Sequence, residues 1–419
     1  MNWPRDLKIN LFSILKWLLA YTFLSSMLFW PASILKVPIT FLNILSIALI
    51  LVLPAKYKYI NAKYFKILSV IISLFAIYSM FIDGPAVTVS TIMPFMVGLM
   101  LFCLKDEYKE YLLIWFSRLF SIIVCTSLIF YVIWLIFRYP PLFILNQPFG
   151  YMPHQCFIFF IMPDSFLIPR FSGPFVEPGH LGMISAFLIF ANKCDFKNRK
   201  YLIIILLGIL FSLSLSGYVL LVAGLILFNS ISIKKAVIFL LVLFSLTYVT
   251  TNLWNDGDNF LSETIFNRLE YDEDKGIAGN NRTEAETDTY FSKMMNQNYL
   301  IIGEGNSYFR EMYSKGIIGG AGYKLYMIQY GILGLFLVFL YYYIISLKCP
   351  NKRFAFSLLL LYSISFLQRA YPGWMAWLFP FIMSMNHWNV SENGYLKALI
   401  HLPLFSKFKY LNNNLLNTN

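Results

Sequence analysis

Three ionisable side chains lie close together in the segment RFSGPFVEPGHLG, residues 170–182. Arg170 can bind an anion through its guanidinium group, and Glu177 can accept a proton from a hydroxyl. His180 follows Glu177 by three residues, so a helix would place both side chains on one face, where His180 is a substrate-binding candidate. Pro178 favours the first turn of a helix, and helix N-terminal ends attract anions. The segment therefore predicts an anion site beside a general base.

Each of these residues also has a structural explanation. Arg170 could lay its stem along apolar surface and keep its charge at a membrane interface. Glu177 could cap the helix or form an ion pair, and His180 could be a hydrogen-bonded packing residue. The segment by itself leaves the functional and structural explanations open.

Further basic residues are candidates for binding an anionic substrate. Arg282 precedes a predicted helix at 283–297, where an arginine suits bidentate binding of a phosphate or carboxylate. Arg369, in FLQRAYPGW (366–374), could bind a substrate anion or a lipid headgroup. Lys324, at the start of an apolar run, is a fourth substrate-binding candidate. No spacing typical of a metal site or a phosphate-binding glycine loop accompanies them.

The composition shows what kind of chain must position these residues. Of the 419 residues, 58% are hydrophobic and only 13% are charged. Apolar runs of about 17–25 residues recur, and each can cross a hydrocarbon core of roughly 30 Å. The sequence therefore predicts an all-α polytopic membrane protein. The net charge of +12 does not indicate nucleic-acid binding, because the basic residues lie in short loops between spans.

The distribution of lysine and arginine predicts the orientation of these spans. Twelve spans are predicted at 11–30, 38–54, 66–83, 88–104, 111–137, 178–193, 201–215, 217–230, 234–251, 323–347, 354–368 and 372–388. Lysines and arginines fill alternate loops, whereas the opposite short loops contain only Lys36 and Arg369. This asymmetry predicts that both termini are cytoplasmic.

Two predicted spans are short and form a hairpin. Both flanks of residues 201–230 are basic, so the chain must turn back, and SLSLSGY (212–218) is the polar place to do so. Helices too short to cross the membrane completely are typical of a segment that lines a water-filled cavity.

The predicted organisation has two large external loops. It comprises helices 1–5 in residues 1–137, a first periplasmic loop with an interfacial segment (154–166) in 138–177, helices 6–9 in 178–251, a second, partly helical periplasmic loop in 252–322, helices 10–12 in 323–388 and a cytoplasmic amphipathic tail in 389–419.

The motifs and layout together resemble one family. RFSGPFVEPGHLG resembles a segment of the Wzy-type O-antigen polymerases, which are membrane glycosyltransferases. LSLSGYVLL (213–221) is similar to a short hairpin that those polymerases share with the O-antigen ligases. NNRTEAE (280–286) with LIIGEG (300–305) resembles the family's second large loop.

This resemblance implies a GT-C-like fold in the bacterial cell inner membrane and a role in lipopolysaccharide biosynthesis. It implies metal-independent transfer, without a cofactor, from an undecaprenyl-diphosphate-linked glycan to a second lipid-linked glycan. Arg170 and Arg282 would hold the diphosphate, and Glu177 would act as acid/base or position the acceptor. Arg268 and Gly279 fit the family's arginine–glycine spacing, so Arg268 and Arg282 both remain candidates. Membrane lipids and a chain-length regulator are the other expected partners, and nucleic acid is not.

Two other functions compete with polymerisation. An O-antigen ligase, which joins the finished glycan to lipid A-core, has the same fold. Ligases usually carry a histidine in the second large loop, and this chain has none there. A lipid-linked glycan flippase would have two similar halves and little mass outside the membrane, unlike this chain.

Overall fold

The computed structural model describes residues 11–146, 148, 152–163, 170–228, 271–272, 276–277, 285–296, 299–315, 322–369 and 371–386. Several predicted features lie outside the described residues, namely the span at 234–251, Arg268, Arg282 and the tail at 389–419.

The described chain is mostly helical. Its α-helices are α1 (Leu11–Ser26), α2 (Trp30–Leu35), α3 (Ile39–Val52), α4 (Ala62–Asp83), α5 (Pro85–Phe102), α6 (Asp106–Phe137), α7 (Pro178–Ala191), α8 (Tyr201–Ser212), α9 (Leu215–Leu227), α10 (Ala285–Asn296), α11 (Gly305–Ser314), α12 (Tyr323–Lys348), α13 (Lys352–Phe366) and α14 (Met375–Ser384). Short 3₁₀ turns cover Ala55–Tyr57 and Tyr299–Ile301.

Among the described residues, four helices are long and apolar enough to cross a membrane, namely α4, α5, α6 and α12. Six shorter apolar helices of 10–17 residues accompany them. The prediction of a helical membrane protein is thereby confirmed.

The helices α7 and α14 are buried on all sides. Every residue from Gly179 to Ala191 is buried, and so is every residue of α14. A helix that is apolar all round is typical of a core position. The helix α14 packs on α1, α5, α6 and α7, and α7 also packs on α8 and α9. At 14 and 10 residues these helices measure roughly 21 and 15 Å, less than a hydrocarbon core.

Local residue chemistry fixes several helix ends. Asn61, Ser214 and Asn351 cap α4, α9 and α13 with their side-chain oxygens. Gly84 joins α4 to α5 with a φ of 76°, and Pro85 then opens α5. The chain turns between α8 and α9 at Leu213 and Ser214, inside the segment where the sequence predicts a turn.

Part of the first large loop forms a small antiparallel sheet of β1 (Phe143–Leu145), β2 (His154–Cys156) and β3 (Ile161–Pro163), in that order. The sequence predicts that apolar residues 154–166 lie along the membrane interface. In the described part, residues of this segment form β2 and β3, and the interfacial location stays a prediction. Phe157 and Phe160 stack on each other with ring centroids 4.6 Å apart and pack on Trp134 of α6. Packing on α6 therefore buries these two rings within the protein.

The described part of the second large loop packs against α12. Phe291, Met294 and Leu300 form a buried cluster with Leu325 and Ile328 of that helix. A two-stranded sheet, β4 (Tyr271–Asp272) and β5 (Gly276–Ile277), precedes it. Burial and a hydrogen bond to Glu304 raise the pKa of Tyr290 well above its usual value.

Gly303 and Gly331 allow the second large loop to contact the backbone of α12 closely, at the kink of that helix. Gly331 has a φ of 62°, and a Cβ there would lie 2.3 Å from the Ile301 carbonyl oxygen. Gly303 has a φ of 77°, and its Cβ would lie 2.4 Å from the Gly331 nitrogen. Only glycine fits both the close approach and the positive φ.

Loops meet at two opposite ends of the bundle. At one end, which we call the basic end, the loop containing Lys58 pairs with Leu104, and Lys348 and Lys109 share Asp106. At the other end, Phe29 pairs with Phe175. There Asp83 also accepts a hydrogen bond from the Ser307 backbone N–H at 3.0 Å, which fastens the second large loop to α4.

Candidate functional site

Arg369 binds two residues of the 170–182 segment at once. Its Nη2 donates to Oε2 of Glu177 in an ion pair, and its Nη1 lies 2.7 Å from Nε2 of His180. Arg369 lies in the turn between α13 and α14, whereas Glu177 is the N-cap residue of α7. A Cβ at Gly179 would lie 3.0 Å from the Arg369 Nη2, so the glycine leaves room for the guanidinium.

The three side chains differ in their access to solvent. His180 is fully buried and Arg369 is 4% exposed, whereas the Glu177 side chain is 21% exposed. Glu177 is therefore the member of this group that a substrate can reach most directly.

Aromatic rings enclose His180 on the side of α14. Tyr371 and Trp374 stack with centroids 4.0 Å apart and planes 7° from parallel. The His180 ring lies 5.5 Å from Trp374 and 6.4 Å from Trp377. These rings hold the imidazole in place and shield its pair with Arg369 from water.

Arg170 contacts the hairpin formed by α8 and α9. Its Nη2 donates to the Leu213 carbonyl oxygen at 2.8 Å. Leu213 adopts a left-handed φ of 46° at the turn. Next to it, the hydroxyls of Ser214 and Ser216 lie 2.8 Å apart. The tip of the hairpin is therefore polar where it meets Arg170.

Close packing of two glycines brings this hairpin tip against α7. A Cβ at Gly217 would lie 2.9 Å from the Gly182 Cα. A Cβ at Gly182 would lie 2.9 Å from the Ser214 Cβ. Small residues let helices approach this closely. The hairpin thus connects Arg170 with α7 near the first turn, which carries Glu177 and His180.

The electrostatics of this end favour an anion. Both buried helices, α7 and α14, begin here, and each helix N-terminus carries the positive end of a peptide dipole. Arg170 and Arg369 add two positive charges, and Glu177 supplies one negative charge. We call Arg170, Glu177, His180 and Arg369 the arginine–glutamate site.

Lys324 belongs to a separate group. Its ammonium forms an ion pair with Asp288 at 2.7 Å and lies 5.8 Å from the Phe291 ring centroid. The predicted substrate-binding role of Lys324 thus competes with an evident structural one, the attachment of α10 to α12. The group still borders the arginine–glutamate site. Gly322 lies two residues before Lys324, and Leu367 lies two residues before Arg369. A Cβ at Gly322 would lie 3.0 Å from the Leu367 carbonyl oxygen.

The other two predicted arginines, Arg268 and Arg282, lie outside the described residues. The helix α10, which begins three residues after Arg282, is anchored through Asp288 next to the start of α12.

Sequence reasoning missed several residues that build this region. The Leu213 carbonyl carries no sequence signal, because any residue supplies one. Asp288 was one acid among many in an acidic loop. Asp83 was recognisable, because it is the one acidic residue at the outer ends of the first five predicted spans.

No protein-family model, curated protein or solved structure matches this chain.

Proposed function

We propose that this protein is a membrane glycosyltransferase that polymerises lipid-linked oligosaccharide repeat units. It would transfer the glycan from undecaprenyl diphosphate to a sugar hydroxyl of another lipid-linked repeat unit. The proposal rests on one observation above all: Arg369 holds the Glu177 carboxylate and His180 where two buried helices begin, and Arg170 contacts the hairpin tip that packs on one of those helices. The motif resemblance to O-antigen polymerases points to the same reaction.

The reaction needs a base and a site for the leaving group. The acceptor hydroxyl attacks the anomeric carbon, a new glycosidic C–O bond forms, and the bond from that carbon to the diphosphate oxygen breaks. The hydroxyl proton passes to the Glu177 carboxylate, and undecaprenyl diphosphate departs with the electron pair. Negative charge develops on the diphosphate, where Arg170, Arg369 and Arg282 would stabilise it. Arginine charge can serve here without a metal ion.

The ion pair between Glu177 and Arg369 suggests how the base is controlled. A carboxylate that accepts a hydrogen bond from a guanidinium is a weaker base than one released from it. A diphosphate is a stronger partner for Arg369 than a single carboxylate, because it brings more negative charge. Donor binding would therefore draw Arg369 away from Glu177 and leave Glu177 available to the acceptor hydroxyl.

We further propose twelve spans with cytoplasmic termini in a bacterial inner membrane, in a GT-C-like arrangement. Helices occupy eleven of the predicted span positions, and the remaining position, 234–251, lies outside the described residues. The lysine-rich loops meet at the basic end, which is the end that the charge asymmetry assigns to the cytoplasm. The arginine–glutamate site then faces the periplasm, where the lipid-linked glycan would be presented.

The function is tested by alanine substitution at two of the diphosphate-binding candidates, Arg170 and Arg282. Arg170→Ala and Arg282→Ala should each abolish long O-antigen chains while the protein remains inserted in the membrane. The measurement is the lipopolysaccharide ladder on a gel, with protein amount checked by immunoblot. Arg138→Ala is a matched control, because Arg138 is exposed beyond α6 and its guanidinium lies over the Trp134 ring, 4.4 Å from the centroid.

The product pattern distinguishes the competing functions. Loss of a polymerase leaves lipopolysaccharide with a single repeat unit, whereas loss of a ligase leaves bare core. Normal chain lengths in either variant would remove that arginine from the mechanism. Purified protein that moves lipid-linked glycan across vesicles but never joins two units would identify a flippase.

A further inference from the structure

The arginine–glutamate site is covered where the proposed reaction needs access. Arg369 is 4% exposed and His180 is fully buried, yet the leaving diphosphate has to meet the Arg369 guanidinium. A diphosphate cannot reach a guanidinium that is enclosed on nearly every side, so a neighbouring part of the chain has to move before the donor binds. The proposed function therefore requires a movable cover.

The helices α7 and α14 are not suited to be that cover. Their side chains belong to the main hydrophobic cluster of the bundle, together with side chains of α1, α5 and α6. Displacing either helix would separate apolar side chains along its whole length, which is costly because their burial stabilises the fold. The cover has to be an element whose core is separate from this cluster.

The described part of the second large loop has such a core of its own. That core is a second buried cluster, distinct from the main one, and consists of Phe291, Met294, Leu300, Leu325 and Ile328. The last two residues belong to the part of α12 before Gly331, and the Ile328 carbonyl oxygen accepts a hydrogen bond from the Glu304 N–H at 2.8 Å. We call α10, α11, the turn between them and this part of α12 the lid.

The helix α12 is interrupted where the lid joins the bundle. Gly331 has a φ of 62° and a ψ of −175°, a conformation that favours glycine. Beside it, the Tyr78 hydroxyl of α4 donates to the Tyr330 carbonyl oxygen at 2.9 Å. Hinges are a few residues that absorb a change of backbone angles, and a break in a helix supplies such a place. Gly331 is therefore positioned to act as a hinge.

Asp83, the last residue of α4, holds the lid against the bundle. Its Oδ1 accepts a hydrogen bond from the Ser307 backbone N–H in the first turn of α11, at 3.0 Å. The N-cap residue of that helix, Glu304, makes no side-chain cap hydrogen bond, so Asp83 caps α11 from another part of the chain. A carboxylate at the C-terminal end of a helix is disfavoured by the helix dipole. The contact with α11 is therefore what stabilises the carboxylate at this position.

The far edge of the lid borders the turn that carries Arg369. A Cβ at Gly322, next to the start of α12, would lie 3.0 Å from the carbonyl oxygen of Leu367, two residues before Arg369. From Gly322 to Gly331 the chain covers roughly 14 Å of helix. A small rotation at the hinge would therefore move this edge by several ångström and uncover the turn.

We propose that the lid swings about Gly331, with Asp83 as its latch, and so opens the arginine–glutamate site to the lipid-linked diphosphate. Closure would then keep water, a competing acceptor for the glycan, away from the reacting groups. The role of the lid in admitting the donor rests on the proposed function, whereas its hinged movement rests on the geometry of the lid itself.

The movement is tested by measuring distances between spin labels in the full-length protein. Labels at Lys293→Cys on α10 and Arg138→Cys beyond α6, both exposed positions, report the lid against the bundle in a variant whose five native cysteines are replaced. Asp83→Ala should raise the ratio of a longer to a shorter distance about fivefold, the factor expected for the loss of one helix cap. Asp83→Asn should leave the ratio unchanged, because its side-chain oxygen still accepts the hydrogen bond from Ser307.

A label pair within the bundle is the matched control. Arg138→Cys with Lys36→Cys, beyond α2, should give the same distance in every variant. An unchanged ratio for the lid pair in Asp83→Ala, or an equal change in the control pair, would overturn the lid.

The donor's leaving group separates the lid from the proposed function. Undecaprenyl diphosphate added to the labelled protein should also increase the longer distance for the lid pair, because the diphosphate occupies the space beneath the lid. A longer distance in Asp83→Ala without any response to undecaprenyl diphosphate would support the lid and contradict the proposed donor.

Discussion

Arg369 makes two contacts that no other single side chain could make in its place. Its planar guanidinium reaches Glu177 with one terminal nitrogen and His180 with the other. A lysine has one point of charge and cannot hold both partners in this geometry. Arg369 therefore fixes the relative positions of the proposed base and the histidine.

Replacing Arg369 should separate stability from activity. Arg369→Gln leaves the Glu177 carboxylate without its guanidinium partner and should lower the free energy of unfolding by about 2 kcal/mol. The loss is smaller than for a fully buried ion pair, because the Glu177 side chain is partly exposed to solvent. Adding Glu177→Gln should recover much of that loss but no polymer. The melting temperature in detergent and the lipopolysaccharide ladder give the two readouts. Polymer of normal length in Arg369→Gln would contradict the proposed role.

Glu177 and His180 should respond differently to substitution. Glu177→Gln keeps the shape of the side chain but removes the proton acceptor, so we expect complete loss of polymer. His180→Ala leaves Glu177 and Arg369 in place, and we expect shorter or fewer chains. Polymer length and amount, normalised to protein level, compare the two variants. The opposite ranking would assign the base to His180.

At the scale of elements, the hairpin of α8 and α9 positions Arg170 through a backbone carbonyl. The arrangement depends on how closely the hairpin tip approaches α7. Gly217 and Gly182 permit an approach that a methyl group would block. The position of Leu213, and with it the orientation of Arg170, is therefore set by helix packing rather than by the 170–182 segment alone.

Gly217→Ala should displace the hairpin and damage the site without touching any charged residue. The added Cβ would lie 3.0 Å from the Gly182 carbonyl carbon, and backbone atoms cannot move aside easily. We expect a destabilisation of about 1–3 kcal/mol and a strong loss of polymer. Thermal unfolding and the lipopolysaccharide ladder measure both effects. Leu210 lies on the same hairpin and is 45% exposed, so Leu210→Ala should change neither the stability nor the polymer yield. A full polymer yield from Gly217→Ala would show that activity does not depend on the position of the hairpin.

At the scale of the whole molecule, charge is divided between two ends. Loops rich in lysine meet at the basic end, whereas the other end holds the arginine–glutamate site and the described part of the second large loop. The arginine–glutamate site therefore lies at the end of the bundle opposite the lysine-rich loops.

Single cysteines test this orientation in a variant whose five native cysteines are replaced. Lys315→Cys, beyond α11, should react with a membrane-impermeant maleimide in intact spheroplasts. Lys200→Cys, before α8, should react only after the membrane is permeabilised. Both positions are exposed, so access to the reagent decides the result. The reverse labelling pattern would place the arginine–glutamate site in the cytoplasm and end the proposal of periplasmic polymerisation.

The sequence by itself determined the class of the molecule and the positions of its candidate residues. Long apolar runs predict helices because each backbone polar group must be paired inside a membrane. Pro178 marked the start of α7, and SLSLSGY contained the turn between α8 and α9. These features depend on neighbouring residues, so a local pattern is enough to reveal them.

Only the tertiary structure decided which residues meet. Arg369 lies 192 residues from Glu177, and no local pattern encodes a contact across that separation. The same holds for Arg170 with the Leu213 carbonyl and for Lys324 with Asp288. The burial of α7 and α14 likewise follows from the helices packed around them. Side-chain partners in this protein are set by packing between distant segments, which hydropathy and spacing do not record.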